Sequence, residues 1–82
     1  MPATVTENEA TQKLSRFSTD PDNFKEIATE YGVEIISDYR TTDRKGRTES
    51  TFTVQNGRYW QQYRLLHNPA QYQLVHSKKA TK

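Results

Sequence analysis

The 82 residues of this chain include no cysteine, few aliphatic side chains and no acidic residue after Glu49. Without cysteine there can be no disulfide, no thiolate nucleophile and no cysteine-ligated zinc. No apolar run approaches the ~18 residues of a membrane span, and no charged-then-apolar signal segment stands at the N-terminus. We therefore expect a cytoplasmic protein with no membrane partner.

The aliphatic and phenylalanine content is low for a folded domain. Val, Leu, Ile and Phe together supply fourteen of the 82 residues. So short a chain forms a single domain with a small core. Such a core needs support from aromatic packing, for which five tyrosines are available, or from a second copy of the chain. A homodimer is therefore one alternative to a monomer.

The charge reverses sign partway along the chain. Residues 1–39 carry eight acids against three bases, a balance of −5, whereas residues 40–82 carry nine bases against two acids, a balance of +7. The basic half also holds Trp60 and three of the five tyrosines. Basic and aromatic residues in one segment favour a partner that is a nucleic acid or an acidic protein surface.

Signals of catalysis and of cofactor binding are weak. The three glycines, Gly32, Gly46 and Gly57, stand alone, so there is no glycine-rich phosphate loop. His67 and His76 are far apart in sequence and have no neighbouring ligand at metal-binding spacing. We expect no metal, no cofactor and no catalytic residue.

Two helices are predicted in the first half of the chain. Residues 1–6 have no apolar period and are expected to be a flexible tail, whereas Ala10, Leu14 and Phe17 form the apolar stripe of a helix over residues 7–17. A second helix is indicated by Asp20 as N-cap, Pro21 at the first position and Gly32 as the C-terminal stop. Its apolar face comprises Phe24, Ile27, Ala28 and Tyr31.

After Gly32 the period changes from 3.6 to 2, which predicts strands. Four segments are rich in β-branched and aromatic residues: Val33–Thr42, Arg47–Gln55, Arg58–His67 and Tyr72–Ser77. Asn56-Gly57 predicts a two-residue hairpin, and Asp43–Gly46 and Asn68-Pro69 predict the other two turns. The expected fold is α+β, with two N-terminal helices packed on one face of a four-stranded antiparallel β-meander. The domain would span residues 7–77, followed by a basic C-terminal tail over residues 78–82.

The hairpin predicts which side chains share a face of the sheet. Asn56-Gly57 as the two loop residues would set Val54 opposite Tyr59 and Glu49 opposite Arg64. The side chains expected under the helices are Val33, Ile35, Ser37, Tyr39, Phe52, Val54, Tyr59, Tyr63, Leu65, Leu74 and His76. The side chains expected on the other face include Ile36, Asp38, Arg40, Arg47, Glu49, Thr51, Thr53, Trp60, Gln62, Arg64, Leu66, Gln73 and Val75.

That second face is basic and aromatic, as in platforms that stack bases and hold phosphates. We predict a small noncatalytic binding protein that contacts nucleic acid. Its expected contact residues are Arg40, Arg44, Lys45, Arg47, Trp60, Gln62, Arg64, Lys78 and Lys79.

Other interpretations of the same residues stay open. Trp60 and its apolar neighbours could grip a protein, so that the chain is an interaction or regulatory module, an inhibitor or adaptor, or a homodimer. Trp60 could also merely cover Ile36 and Leu66. The basic turn over residues 44–47 could be a solvated loop tip. A third alternative is a small ribonuclease that uses His76, Arg64 and Lys78, with His76 beside Tyr63.

Overall fold

A computed structural model describes the backbone of residues 2–67 and 69–79 and the side chains of residues 9–67 and 69–79. Six elements follow in chain order: α1 (Pro2–Arg16), α2 (Pro21–Glu30), β1 (Glu34–Thr42), β2 (Thr48–Asn56), β3 (Tyr59–Leu66) and β4 (Gln71–Lys79). The strands form one antiparallel sheet in the order β1-β2-β3-β4, and both helices pack against one of its faces. The predicted α+β architecture is confirmed.

Local capping sets both ends of α2. The Asp20 side chain accepts a hydrogen bond from the backbone N–H of Asn23 at 2.8 Å, which satisfies one of the unpaired donors of the first turn. Gly32 follows the helix with φ +70°, a conformation that costs other residues free energy. The predicted cap and stop are both confirmed.

Helix α1 differs from its prediction at both ends. It begins at Pro2, where proline suits a first turn, rather than at residue 7, so residues 2–6 have helical backbone; their flexibility stays a prediction. Phe17, expected in the core, is 58% exposed. Ser18 is buried instead, because it lies one helical repeat beyond Ala10 and Leu14 and donates a hydrogen bond to the Leu14 carbonyl.

Aromatic rings build the centre of the core. Phe24 of α2 stacks on Phe52 of β2 with ring centroids 4.3 Å apart and an interplanar angle of 1°. Tyr63 meets Phe24 edge-on at 5.3 Å, and Tyr72 lies tilted at 4.8 Å. All four rings are fully buried. The two tyrosine rings therefore add buried apolar area that the few aliphatic side chains of the chain do not provide.

The β2–β3 hairpin turns one residue later than predicted. Asn56 pairs with Tyr59, so the loop residues are Gly57 and Arg58, and Gly57 takes the positive φ of +60°. Asn56 is buried, and its amide donates to the Thr11 hydroxyl and to Gln61, both at 3.2 Å. Those tertiary partners hold Asn56 in the strand.

The later turn moves each cross-strand partner by two residues. Arg64 therefore lies opposite Thr51 rather than Glu49, and Val54 lies opposite Gln61 rather than Tyr59. A shift of two keeps each side chain on its predicted face, because strand side chains alternate with a period of two.

A bulge in β1 corrects the predicted faces of that strand. Ile35 pairs with Val54, but Ser37 pairs with Thr53, which leaves Ile36 as the extra residue. Beyond the bulge Tyr39 moves to the face away from the helices, where it is 61% exposed, and Arg40 moves to the helix side. Both were predicted the other way round.

A second bulge lies in β4. Tyr63 pairs with Leu74 and Gln62 pairs with His76, so Val75 is the extra residue. His76 consequently lies on the face away from the helices and not beside Tyr63, as predicted. The strand continues to Lys79, so Lys78 and Lys79 are strand residues, while residues 80–82 of the predicted tail and Asn68 of the predicted turn lie outside the described residues.

Candidate nucleic-acid interface

The sheet surface away from the helices, here named the open face, is the candidate site. Its side chains are Glu34, Ile36, Ser37, Tyr39 and Thr41 on β1; Glu49, Thr51, Thr53 and Gln55 on β2; Trp60, Gln62, Arg64 and Leu66 on β3; and Gln73, Val75, His76 and Lys78 on β4. The helices cover only the other side of the sheet, so this face has no covering layer within the described residues.

Trp60 anchors one end of the open face. Its side chain is 49% exposed, and its cross-strand partners are Gln55 on β2 and Lys78 on β4. The expectation that the indole points away from the helices is confirmed. The indole lines a shallow pocket of about 430 Å³ whose lining residues are Thr53, Trp60, Gln61, Gln62, His76 and Lys78.

The next row of the open face is polar. Thr53, Gln62 and His76 lie side by side on β2, β3 and β4, and the Gln62 amide donates to the Thr53 hydroxyl at 3.4 Å. One row further, Thr51, Arg64 and Gln73 lie side by side. These amide and hydroxyl groups can both donate and accept hydrogen bonds, which suits the edges of nucleic-acid bases.

The apolar residues of the open face stand around its margin. Among the described residues, six large apolar side chains are exposed, and all but Phe17 lie on this face: Ile36, Tyr39, Trp60, Leu66 and Val75. Ile36 and Tyr39 belong to the outer strand β1, Val75 belongs to the outer strand β4, and Trp60 and Leu66 are the first and last residues of β3. The centre of the face is therefore polar and its margin partly apolar.

Arg40 does not belong to this site. It pairs with Ser50 on the helix side of the sheet, and its guanidinium donates to both oxygens of Asp38 at 3.0 and 2.9 Å. These hydrogen bonds lower the pKa of the Asp38 carboxyl, and they raise the pKa of Arg40. The prediction that Arg40 joins Trp60 is wrong, because the β1 bulge reverses the faces.

The basic hairpin tip lies away from Trp60. Arg44 and Lys45 are exposed in the turn between β1 and β2, whereas Trp60 lies opposite Gln55 near the other end of β2. Seven residues of strand separate Gln55 from the start of β2, a distance of ~24 Å. Arg44 and Lys45 therefore cannot contact a base stacked on Trp60.

Arg47 is already partnered within the same turn. Asp43 accepts hydrogen bonds from the backbone N–H groups of Lys45 and Arg47, each at 2.9 Å, and from Arg47 Nε at 3.0 Å. The backbone hydrogen bond from Arg47 contributes most to lowering the pKa of Asp43. The turn is thus held by its own ion pair, and Arg47 lies just before the start of β2, at the far end of that strand from the partner of Trp60.

Of the nine predicted contact residues, the structure brings four together on the open face: Trp60, Gln62, Arg64 and Lys78. Lys79 pairs with Tyr59 and so faces the other way. Sequence reasoning missed Tyr39 and His76, since each follows a bulge that shifts strand parity. The alternation of side chains along a strand does not indicate where such an extra residue lies.

The three residues of the ribonuclease alternative lie on the open face. His76 and Lys78 share the face with Arg64, but the predicted contact of His76 with Tyr63 is absent, because His76 lies opposite Gln62.

Within residues 2–67 and 69–79, no cluster of three or more histidine and carboxylate side chains could hold a metal ion. In the same part of the chain, neither helix is both long and apolar enough to cross a bilayer.

No protein-family model, curated protein or solved structure matches the chain.

Proposed function

We propose that this chain is a noncatalytic protein that binds single-stranded nucleic acid on the open face. The observation that carries the proposal is the pair formed by Trp60 and Lys78. A half-exposed indole stands directly opposite an exposed ammonium group, beside a row of amide and hydroxyl groups. A cytoplasmic location is part of the proposal.

Each part of this arrangement matches one part of a nucleotide. The indole offers a flat surface on which a base can stack, and such stacking contributes ~1–3 kcal/mol per base. Lys78 and Arg64 can hold phosphate groups by charge-assisted hydrogen bonds. Gln62 and Thr53 can read base edges. Unstacked bases are needed for this, which favours a single strand over a duplex.

The distribution of polarity favours nucleic acid over a protein partner. Protein interfaces usually have an apolar centre and a polar rim, whereas the open face has Thr51, Thr53 and Gln62 at its centre. Its two carboxylates, Glu34 and Glu49, lie on β1 and β2, and Glu34 is in the same row as Trp60, two strands away from it. The β3–β4 half of the face therefore carries only positive formal charge.

The proposal is tested by fluorescence anisotropy of a labelled single-stranded octanucleotide at low salt. The wild-type protein should bind, and Trp60→Ala should weaken binding roughly tenfold or more, as the loss of one stacking position implies. Phe17→Ala is the matched control, because it removes an exposed aromatic ring from the helical layer and should leave affinity unchanged. Absence of binding by the wild type, or equal affinity of Trp60→Ala, contradicts the proposal.

A second candidate function is self-association or binding of a protein partner, because five of the six large apolar side chains exposed among the described residues share this face. Analytical ultracentrifugation over a range of concentrations distinguishes the two. A dimer that Trp60→Ala dissociates supports the second candidate, and a monomer that binds the octanucleotide supports the first.

The ribonuclease alternative has its own assay. Incubation of the wild-type protein with a single-stranded RNA would yield fragments if His76 acted as an acid or base, and His76→Ala would abolish them. The noncatalytic proposal predicts that the RNA stays intact.

A further inference from the structure

Tyr39 is an exposed aromatic residue that the β1 bulge brings onto the open face. It lies opposite Thr51, which in turn lies opposite Arg64, so the three residues form one row across β1, β2 and β3. Its ring is 61% exposed, more than any other large apolar side chain among the described residues. Packing against the protein does not account for a ring in this position.

The open face thus carries two combinations of an aromatic ring and a cation. Trp60 lies next to Lys78 in one row, and Tyr39 shares another row with Arg64. Four residues along a strand and two strand spacings separate Trp60 from Tyr39, which places their Cα atoms ~17 Å apart. Adjacent bases cannot span that distance.

The surface between the two rings is polar. Thr53 and Gln62 occupy the intervening row on the two central strands, and their side chains are hydrogen-bonded to each other at 3.4 Å. A diagonal path from Trp60 to Tyr39 crosses this row. Glu34 shares the row of Trp60 but lies two strands away, and Glu49 lies one row beyond Tyr39. A phosphate backbone on this path therefore passes over neither carboxylate of the open face.

We propose that Tyr39 is a second stacking position for the same single strand, so that the bound nucleic acid runs diagonally from Trp60 and Lys78 to Tyr39 and Arg64. The ligand is then a polynucleotide several residues long, rather than a mononucleotide or dinucleotide. This inference rests on the proposed function. It adds the path of the strand, the minimum length of the ligand and a residue that sequence reasoning assigned to the core.

The test compares two ligand lengths across matched variants. Binding of a single-stranded octanucleotide and of a dinucleotide is measured for the wild type, Trp60→Ala, Tyr39→Ala, Tyr39→Phe and Phe17→Ala. Tyr39→Ala should weaken octanucleotide binding roughly tenfold, the value of one stacking position, and leave dinucleotide binding at the Trp60 site unchanged. Tyr39→Phe keeps an aromatic face and should retain wild-type affinity, as should Phe17→Ala.

Failure of this inference is distinguishable from failure of the proposed function. If the wild type does not bind the octanucleotide, the proposed function is wrong. If it binds through Trp60 but Tyr39→Ala binds equally well, only the second stacking position is wrong. If Tyr39→Ala lowers the affinity for the octanucleotide and for the dinucleotide equally, the substitution disturbs the Trp60 site. The diagonal path is then wrong as well. The thermal midpoint of each variant checks its fold, and Tyr39→Phe tests the path without loss of the ring.

Discussion

Arg40 and Asp38 form a bidentate ion pair on the helix side of β1, with hydrogen bonds of 3.0 and 2.9 Å. Lys25 of α2 lies 3.4 Å from the same carboxylate, so two cations share one acid. The pair therefore links the edge strand to α2. The pair also keeps the Arg40 guanidinium, a group suited to binding phosphate, on the face of the sheet opposite to that of Trp60.

Arg40 and Arg64 consequently offer a matched comparison. Arg64→Ala should weaken octanucleotide binding, because it removes a cation from the open face, and should reduce the slope of log affinity against log salt by about 0.7. Arg40→Ala should leave both the affinity and the slope unchanged. Salt-dependent anisotropy titrations of the two variants provide the measurement. Equal losses in both variants would show that nonspecific charge, and not the open face, governs binding.

Two phenylalanines should differ strongly in their effect on stability. Phe24 is fully buried and stacked on Phe52, so Phe24→Ala should lower the free energy of unfolding by ~3–5 kcal/mol. Phe17 is 58% exposed, and Lys13 Nζ lies 4.6 Å from its ring centroid, so Phe17→Ala should cost less than about 1 kcal/mol. Urea denaturation followed by circular dichroism measures the free energy of unfolding of both variants. A larger loss for Phe17→Ala than for Phe24→Ala would contradict the prediction.

Alkaline pH should destabilise the fold through Tyr63. Burial raises the pKa of its phenol to about 12 from an unfolded value of 10.0. The folded state therefore holds the proton where the unfolded state releases it, so the stabilisation is present below pH 10 and is lost as the pH rises toward 12. The free energy of unfolding should fall by ~2–3 kcal/mol across that window. Denaturant titrations at several alkaline pH values measure it.

Tyr63→Phe is the control for this pH dependence. The substitution removes the titrating phenol, and also the hydrogen bond that the hydroxyl donates to Gln61 at 2.7 Å. The variant should be less stable at neutral pH but should lose less stability on alkalinisation. An unchanged slope against pH would mean that another group titrates.

Ser50 and Tyr72 should be energetically coupled. Their hydroxyl oxygens are 2.6 Å apart in the core, and both residues are almost completely buried. Ser50→Ala or Tyr72→Phe alone should cost ~1–3 kcal/mol, because each leaves one buried hydroxyl without its partner. The double variant should cost less than the sum of the two. Additive losses in a double-mutant cycle would contradict the coupling.

Local signals predicted the helices and strands well. Asp20, Pro21 and Gly32 act through backbone groups within a few residues, so the bounds of α2 can be inferred without tertiary contacts. The exposure of Trp60 was also predictable, since strand alternation survives a register shift of two.

Features that depend on tertiary contacts were not predictable in the same way. Asn56 looks like a turn residue by type, but its amide finds Thr11 and Gln61, and the turn moves to Gly57 and Arg58. No local composition marks Ile36 or Val75 as the extra residue of a bulge. For that reason Tyr39, Arg40 and His76 were each assigned to the wrong face.

The central claim, that the open face binds single-stranded nucleic acid, is tested most directly by the intrinsic fluorescence of Trp60, the only tryptophan of the chain. Titration with a single-stranded octanucleotide at low salt should quench this fluorescence to saturation, and added salt should restore it. Fluorescence that stays unchanged while the octanucleotide is shown by anisotropy to be bound, or no binding at all, would contradict the claim.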